Sequence, residues 1–248
     1  HYWENSGDVT FVQHQLTHPL FYGVAVADLD GEFPLEIFGA ELGGQIVRLH
    51  QDPETQSFIK ETVSNAFNGP KDLEVVDLDG DGDLDVLSAA IYDNKFSWFE
   101  NDGVLGFTEK VVAVDAPSAY GVAAADIDGD GDLDFVGTQH DAVTWYENEG
   151  ADLGEDSAES FEPHVIDSLT GYGRTAQIID MDSDDDLDVV VGWGWPSTQV
   201  WYENNGAGIF TERIFSGGGA IFSVHAVDID GDTDVDLVAA HPNENTVF

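Results

Sequence analysis

Apolar positions come in bursts of four to eight residues, each ended by Gly, Asn or Asp, and the same bursts return along the chain. "GVAVA" (23–27) and "GVAAA" (121–125) are small and apolar; "LDVLSAA" (84–90) and "LDFVGT" (133–138) carry β-branched and aromatic residues. "WYEN" (145–148 and 201–204) and longer mixed segments such as "GFTEKVVAV" (106–114) and "GIFTERIF" (208–215) follow. Such lengths, β-branched content and Gly or Asn joints predict strands, and no stretch sustains a 3.6-residue period. In "WYEN" the adjacent Trp and Tyr point to opposite faces of a strand, so that strand is buried on both sides.

The bursts are organised by a repeated acidic loop. "DLDGEFPLEIF" begins at Asp28, "DLDGDGDLDVL" at Asp77, "DIDGDGDLDFV" at Asp126, "DMDSDDDLDVV" at Asp180 and "DIDGDTDVDLV" at Asp228, spacings of 49, 49, 54 and 48 residues. A second signature follows: "FSWFENDG" (96–103), "VTWYENEG" (143–150), "QVWYENNG" (199–206) and a weak version, "RLHQD" (48–52). The fifth copy is split between "NENTVF" at the end of the chain and "HYWENSG" at its start. Four strands per unit of about fifty residues is the signature of a propeller blade. The expectation is an all-β, five-bladed β-propeller of four-stranded blades, one domain over residues 1–248, closed by N- and C-terminal strands that complete one blade. An open solenoid, or a stretch of a longer tandem array, is the alternative. Gly23, Ala25 and Ala27, like Gly121 and Ala123 to Ala125, are small, as expected where strands converge on an axis.

Charge changes the picture most. The 248 residues hold 50 Asp and Glu against 7 Lys and Arg, a net charge of −43, yet 42% are hydrophobic, enough for a core. Such a surface repels phosphate backbones and anionic lipid, which excludes nucleic acid as a partner and makes cations the expected ones. There is no cysteine, so disulfides and thiolate metal sites play no part. No run of 18 apolar residues predicts membrane insertion, and the first residues lack the basic and apolar parts of a signal peptide.

Carboxylates at positions 1, 3, 5 and 9 of one loop repel, by about 4 kcal/mol for each pair ~4 Å apart at an effective dielectric near 20. A hard cation with six to eight oxygen ligands relieves this, and the spacing is how a calcium loop wraps its ion, with Gly at positions 4 and 6 for the turn. Magnesium fits less well, preferring a small, water-rich octahedral shell. An EF-hand is excluded because position 12 is Ser88 or Gly137 and strands flank the loop.

Together, "DLDGDGDLDVL" and "WYENxG" resemble the FG-GAP or VCBS-type repeat, the calcium-loop blade of integrin α-subunit propellers and certain fungal lectins. The resemblance covers essentially the whole chain. It implies about four or five Ca2+ ions, bound by aspartates at positions 1, 3, 5 and 9 with the carbonyl of position 7. The implicated residues are Asp77, Asp79, Asp81, Asp83 and Asp85; Asp126, Asp128, Asp130, Asp132 and Asp134; Asp180, Asp182, Asp184, Asp186 and Asp188; and Asp228, Asp230, Asp232, Asp234 and Asp236. Ser183 and Asp185 replace the glycines of the fourth loop, and Thr233 stands at position 6 of the fifth, where a β-branched residue resists positive φ. The first loop keeps only Asp28 and Asp30 of the aspartates.

The face opposite these loops carries Tyr22, Lys71, Tyr120, Arg174 and Phe222 before the first strands, and Glu41, Tyr92, His140, Asp141, Trp193, Trp195 and His241 after the second. Aromatics beside hydrogen-bonding groups suit sugar rings; Tyr22, Tyr120, His140, Trp193, Trp195 and His241 are the candidate ligand residues. Glu74, Gln177 and His225 share one register and are expected at the central channel or bonded to neighbouring strands. No nucleophile elbow, zinc-helix motif or phosphate loop is present, so catalysis is suggested only by His140, Asp141, Tyr120 and Arg174 on one rim. The expected function is a noncatalytic, calcium-binding, extracellular recognition module whose partner is a glycan or an extracellular protein. A structural or cell-adhesion domain of a larger surface protein, or a polysaccharide-degrading enzyme, is the alternative.

Overall fold

The computed structural model of the chain describes residues 2–5, 7, 10–14, 16, 20–29, 31, 34–104, 106–150, 161–168, 171–194, 198–217 and 220–240. Among the described residues the elements are twenty strands. In chain order they are β1 (Tyr2–Asn5), β2 (Phe11–His14), β3 (Phe21–Ala27), β4 (Glu36–Glu41), β5 (Ile46–Gln51), β6 (Phe58–Ser64), β7 (Pro70–Val76), β8 (Asp85–Ala90), β9 (Lys95–Asn101) and β10 (Phe107–Ala113). There follow β11 (Gly121–Ala125), β12 (Asp134–Gln139), β13 (Ala142–Asn148), β14 (Phe161–Asp167), β15 (Gly173–Ile179), β16 (Asp188–Trp193), β17 (Thr198–Asn204), β18 (Phe210–Gly217), β19 (Ser223–Val227) and β20 (Asp236–Ala240).

Each repeat folds on itself, because consecutive strands joined by tight turns pair antiparallel. The sheets β3–β6, β7–β10, β11–β14 and β15–β18 are four-stranded meanders, and β19–β20 and β1–β2 are two-stranded ribbons. By sequence register β19–β20 corresponds to the two inner strands of the other blades and β1–β2, which carries the "WEN" segment, to the two outer ones. The five-blade arrangement expected from the repeat fits this architecture.

Aromatic pairs hold successive blades together. Trp145 packs towards the following blade, with Val189, Val191 and Tyr202, while the adjacent Tyr146 packs towards the preceding one, with Phe96 and Trp98. Trp98 and Phe99 of β9 divide in the same way between two cores. Inner strands are also tied side chain to backbone. Glu74 Oε2 accepts the N–H of Ala124 at 2.8 Å. One blade pair further on, Gln177 Oε1 accepts the N–H of Ala226 at 2.7 Å and its Nε2 donates to the Ala226 carbonyl at 3.2 Å. Two of the three residues in that register therefore work as ties between blades while also lining the channel, a cavity of about 570 Å³.

The junction between the fifth blade and the first differs from the others. Val24 and Val26 of β3 are 55% and 57% exposed, whereas Val122 and Val224, which share the register of Val24, are buried. The described residues do not seal this junction.

Candidate metal centres and the opposite rim

The acidic loops of blades two to five are built to one hydrogen-bond plan. The carboxylate at position 1 accepts the N–H of position 6: Gly82 to Asp77, Gly131 to Asp126, Asp185 to Asp180 and Thr233 to Asp228, each at 3.1 Å. That of position 5 accepts the N–H of position 7, at 2.9 Å for Asp83 and 3.0 Å for Asp132, Asp186 and Asp234. Position 6 has positive φ in every one of these loops: +99° and +105° at Gly82 and Gly131, +75° at Asp185 and +82° at Thr233. Thr233 thus adopts the conformation that its branched Cβ disfavours, and the fifth loop carries that strain.

These folds bring carboxylates together. Asp77, Asp79 and Asp85 form one cluster, Asp126, Asp128 and Asp130 a second, Asp180, Asp182 and Asp188 a third, and Asp228, Asp230 and Asp236 a fourth, with ligand-capable oxygens within 4.8 Å of one another in each. The donor set is all oxygen and all anionic, which suits a hard divalent cation. Asp77 Oδ1 is buried without a hydrogen-bond partner, an orphaned acceptor that an ion would satisfy. Burial pushes Asp85 up to about 7 and Asp134 and Asp188 up to about 6, with the neighbouring aspartates adding to it and hydrogen bonds from backbone N–H groups opposing it. A chain that buries like charges this way needs compensating positive charge. The residues fit a calcium-type ion.

Outside the clusters, Asp81, Asp184 and Asp232 serve the loop turns just described. Asp83, Asp132 and Asp186 at position 7 turn their carboxylates towards Gly103, Gly150 and Gly206, the glycines of the "WYENxG" signature. In the first loop Asp28 is exposed and Asp30 lies outside the described residues. Glu36 stands at position 9, accepts the N–H of Leu29 at 2.9 Å and pairs with Arg48 at 3.4 Å in a nearly fully buried contact.

On the opposite rim Tyr22, Lys71, Tyr120, Arg174 and Phe222 form a continuous row. Lys71 Nζ lies 3.2 Å from the centroid of the Tyr22 ring and 5.7 Å from that of Tyr120. Arg174 Cζ lies 5.3 Å from the Tyr120 centroid and 4.3 Å from that of Phe222, and its Nη1 donates to Tyr120 Oη at 3.1 Å. His140 sits beside this row, its Nδ1 2.6 Å from Asp141 Oδ2 and its ring edge-on to Tyr172. Trp193, a candidate for the same face, is 1% exposed and packs in the core with Tyr202. It fills space and leaves the candidate surface, since burying an indole between blades removes more apolar area from water than exposing it. Trp195 and His241 lie outside the described residues.

The FG-GAP-like repeat family model matches residues 77–137, 127–191 and 180–239. The chain belongs to the FG-GAP-like repeat family. No curated protein matches it by sequence. Its fold is similar to that of an Agrocybe aegerita lectin described as specifically recognising non-reducing terminal N-acetylglucosamine, with TM-score 0.55 and 16% identity over 91% of this chain and 64% of that one. It is similar to the V. cholerae biofilm matrix protein Bap1, with TM-score 0.55 and 18% identity over 91% of this chain and 36% of that one. AofleA from Arthrobotrys oligospora gives TM-score 0.53 and 15% identity over 86% and 64%. The chain thus spans less than two thirds of the length of each, and at such identities the likeness is one of fold.

In this FG-GAP-like chain the two repeated motifs form a single device. The position-9 aspartate accepts one N–H from inside its loop and a second from the Asn of "WYEN": Asn101 to Asp85 at 2.8 Å, Asn148 to Asp134 at 2.7 Å and Asn204 to Asp188 at 2.8 Å. The same Asn side chains donate to the position-8 carbonyls of Leu84, Leu133 and Leu187. Sequence reasoning treated these asparagines as strand punctuation. Their recurrence at constant distance from the acidic loop was the available signal.

Proposed function

We propose that the chain is a noncatalytic recognition module that works outside the cell, with its acidic loops filled by calcium and its opposite rim engaging glycan. The observation that carries the calcium part is the set of four carboxylate clusters, two of them holding a position-9 aspartate, Asp85 or Asp188, whose proton affinity burial has raised, as it has for Asp134 in the loop of a third. Asp77, Asp79 and Asp85 and their equivalents hold the ion, with the carbonyl of position 7 completing the site; the ion supplies charge neutralisation and cross-links the hairpin. The first loop is satisfied by Arg48, so four ions rather than five are expected. Calcium in this role favours calcium-rich surroundings, because moderate-affinity loops stay empty at cytosolic levels. The glycan part is supported by the exposed aromatics of the rim and by a fold neighbour described as recognising terminal N-acetylglucosamine.

Calorimetric titration of the metal-free protein tests the first part and a glycan array, run with millimolar calcium and with chelator, the second. About four sites per chain and calcium-dependent glycan binding are the expected results. Tight association with a purified surface protein, with no glycan bound, would favour the assembly reading that the biofilm matrix neighbour suggests. Turnover of a glycan that His140→Ala abolishes would favour an enzyme.

A further inference from the structure

The chain has seven Lys and Arg among 50 acidic residues, so an accessible cation should find a carboxylate. Five do: Arg48 pairs with Glu36, Lys60 with Glu41, Lys95 with Glu109, Lys110 with Glu100 and Arg213 with Glu203. Lys71 and Arg174 are the exceptions among the described residues. Both lie on the rim row, in one register of the second and fourth repeats, and both address the ring of Tyr120 in the repeat between them. The row reads aromatic, cation, aromatic, cation, aromatic across the blades.

The structure makes room for this arrangement. Gly194 lies against Arg174, and a Cβ there would come within 2.5 Å of its Nε, so any other residue would displace the guanidinium. That Nε is buried without an acceptor, an arrangement that lowers stability and that a structural role alone does not require. Directly below the row, the next residue of three inner strands, Asp72, Thr175 and Ser223, lines the channel cavity. Thr175 Oγ1 is buried there with no hydrogen-bond partner.

We propose that this row takes an anionic saccharide, a sugar ring bearing a carboxylate, with the acid group on Arg174 and Lys71 and the ring face on the flanking aromatics. The proposal rests on the glycan reading above and narrows it. Arg presents a planar fork that matches a carboxylate, and its stacking on Phe222 keeps it pre-organised. Tyr22 and Phe222, each about half exposed, offer faces for sugar C–H groups. Asp72 and Glu74 in the channel repel a carboxylate, which keeps the acid group at the lip and points hydroxyls inward, towards Thr175 and Ser223. At physiological salt a Debye length of about 8 Å screens the distant acidic surface.

The test is calorimetric titration of the calcium-loaded chain, at fixed free calcium, with a hexuronic acid tetrasaccharide and with the same tetrasaccharide after its carboxyls are reduced to primary alcohols. The acid form is expected to bind at least about 30-fold more tightly. Arg174→Gln and Lys71→Met should each cut that preference about tenfold, with the calcium-loaded melting temperature confirming the fold; if one variant does not fold, the other decides. Equal binding of the two forms, or variants that weaken both alike, would overturn the proposal. If neutral glycans bind and the acid form does not, the proposal fails while the glycan reading stands. If no glycan binds to the folded, calcium-loaded protein, both fail.

Discussion

The first acidic loop and the loops of blades two to four solve the same electrostatic problem by different means. In blade three the position-9 carboxylate of Asp134 is fully buried, and the residue paired with Val136 on the next strand is Trp145, which brings no charge. In blade one the same register pairs Phe38 with Arg48, and that guanidinium reaches Glu36. The "RLHQD" segment, the weakest copy of its motif, is a compensated copy: the chain supplies from its own side chain a positive charge at the register where blades two to four carry Trp98, Trp145 and Trp201. What the fold requires is neutralisation of position 9, and an ion is one way of providing it.

Removing calcium gives the largest expected effect. At an ion concentration 100 times the dissociation constant each site contributes about 2.7 kcal/mol, so four contribute roughly ten, comparable with the whole stability of a domain. Thermal unfolding with excess chelator should therefore show a fall of tens of degrees or outright unfolding, and an unchanged melting temperature would break the comparison at its root. Arg48→Met comes next. Stripping one partner from a buried ion pair destabilises by about 3–5 kcal/mol, and denaturant titrations should show the same loss with calcium as with chelator. Asp134→Ala should behave oppositely, losing about 2–3 kcal/mol in calcium and much less in chelator, where the buried charge was already a burden.

A smaller effect is in pH. Because Asp85, Asp134 and Asp188 have folded-state values of about 7, 6 and 6 against an ordinary 3.8, the metal-free fold binds more protons than the unfolded chain between these limits. Its stability is then greatest below pH 4 as far as these groups are concerned and is lost as pH rises through 6 to 7. Chelated protein should melt at a higher temperature at pH 5 than at pH 8. Calcium-loaded protein should show the reverse, since protons compete with the ion. The smallest expected change is Thr233→Gly, which relieves the positive φ of +82° and should stabilise the fifth loop by about 1 kcal/mol, read as a higher melting temperature in calcium.

The blades were legible because their signals are local. Five acidic loops in register and the Trp–Tyr adjacency predict strands, meanders and two-sided burial without any knowledge of neighbours, and the cores around Trp145 and Tyr146 follow that pattern. The aspartates at positions 1, 3 and 9 were legible for the same reason. The roles of Asn148 and Gly150 were less so: each acts on a loop some fifteen residues away, through a backbone N–H and through the absence of a Cβ, and neither leaves a mark in hydropathy. Trp193 misleads because an aromatic among glycines looks the same from the sequence whether it stacks on a ligand or fills a core.

The sequence by itself determined the repeat, the strand order within each blade and the concentration of negative charge on one hairpin per blade, since these depend on residues close together in the chain. Only the tertiary structure decided that Arg48 pairs with the position-9 carboxylate of the first loop, that Glu74 and Gln177 tie neighbouring blades, and that Lys71 and Arg174 meet aromatic rings with no carboxylate partner among the described residues. Those outcomes join residues about a dozen to fifty positions apart, and at such separations which charge meets which is set by the packing of strands against one another.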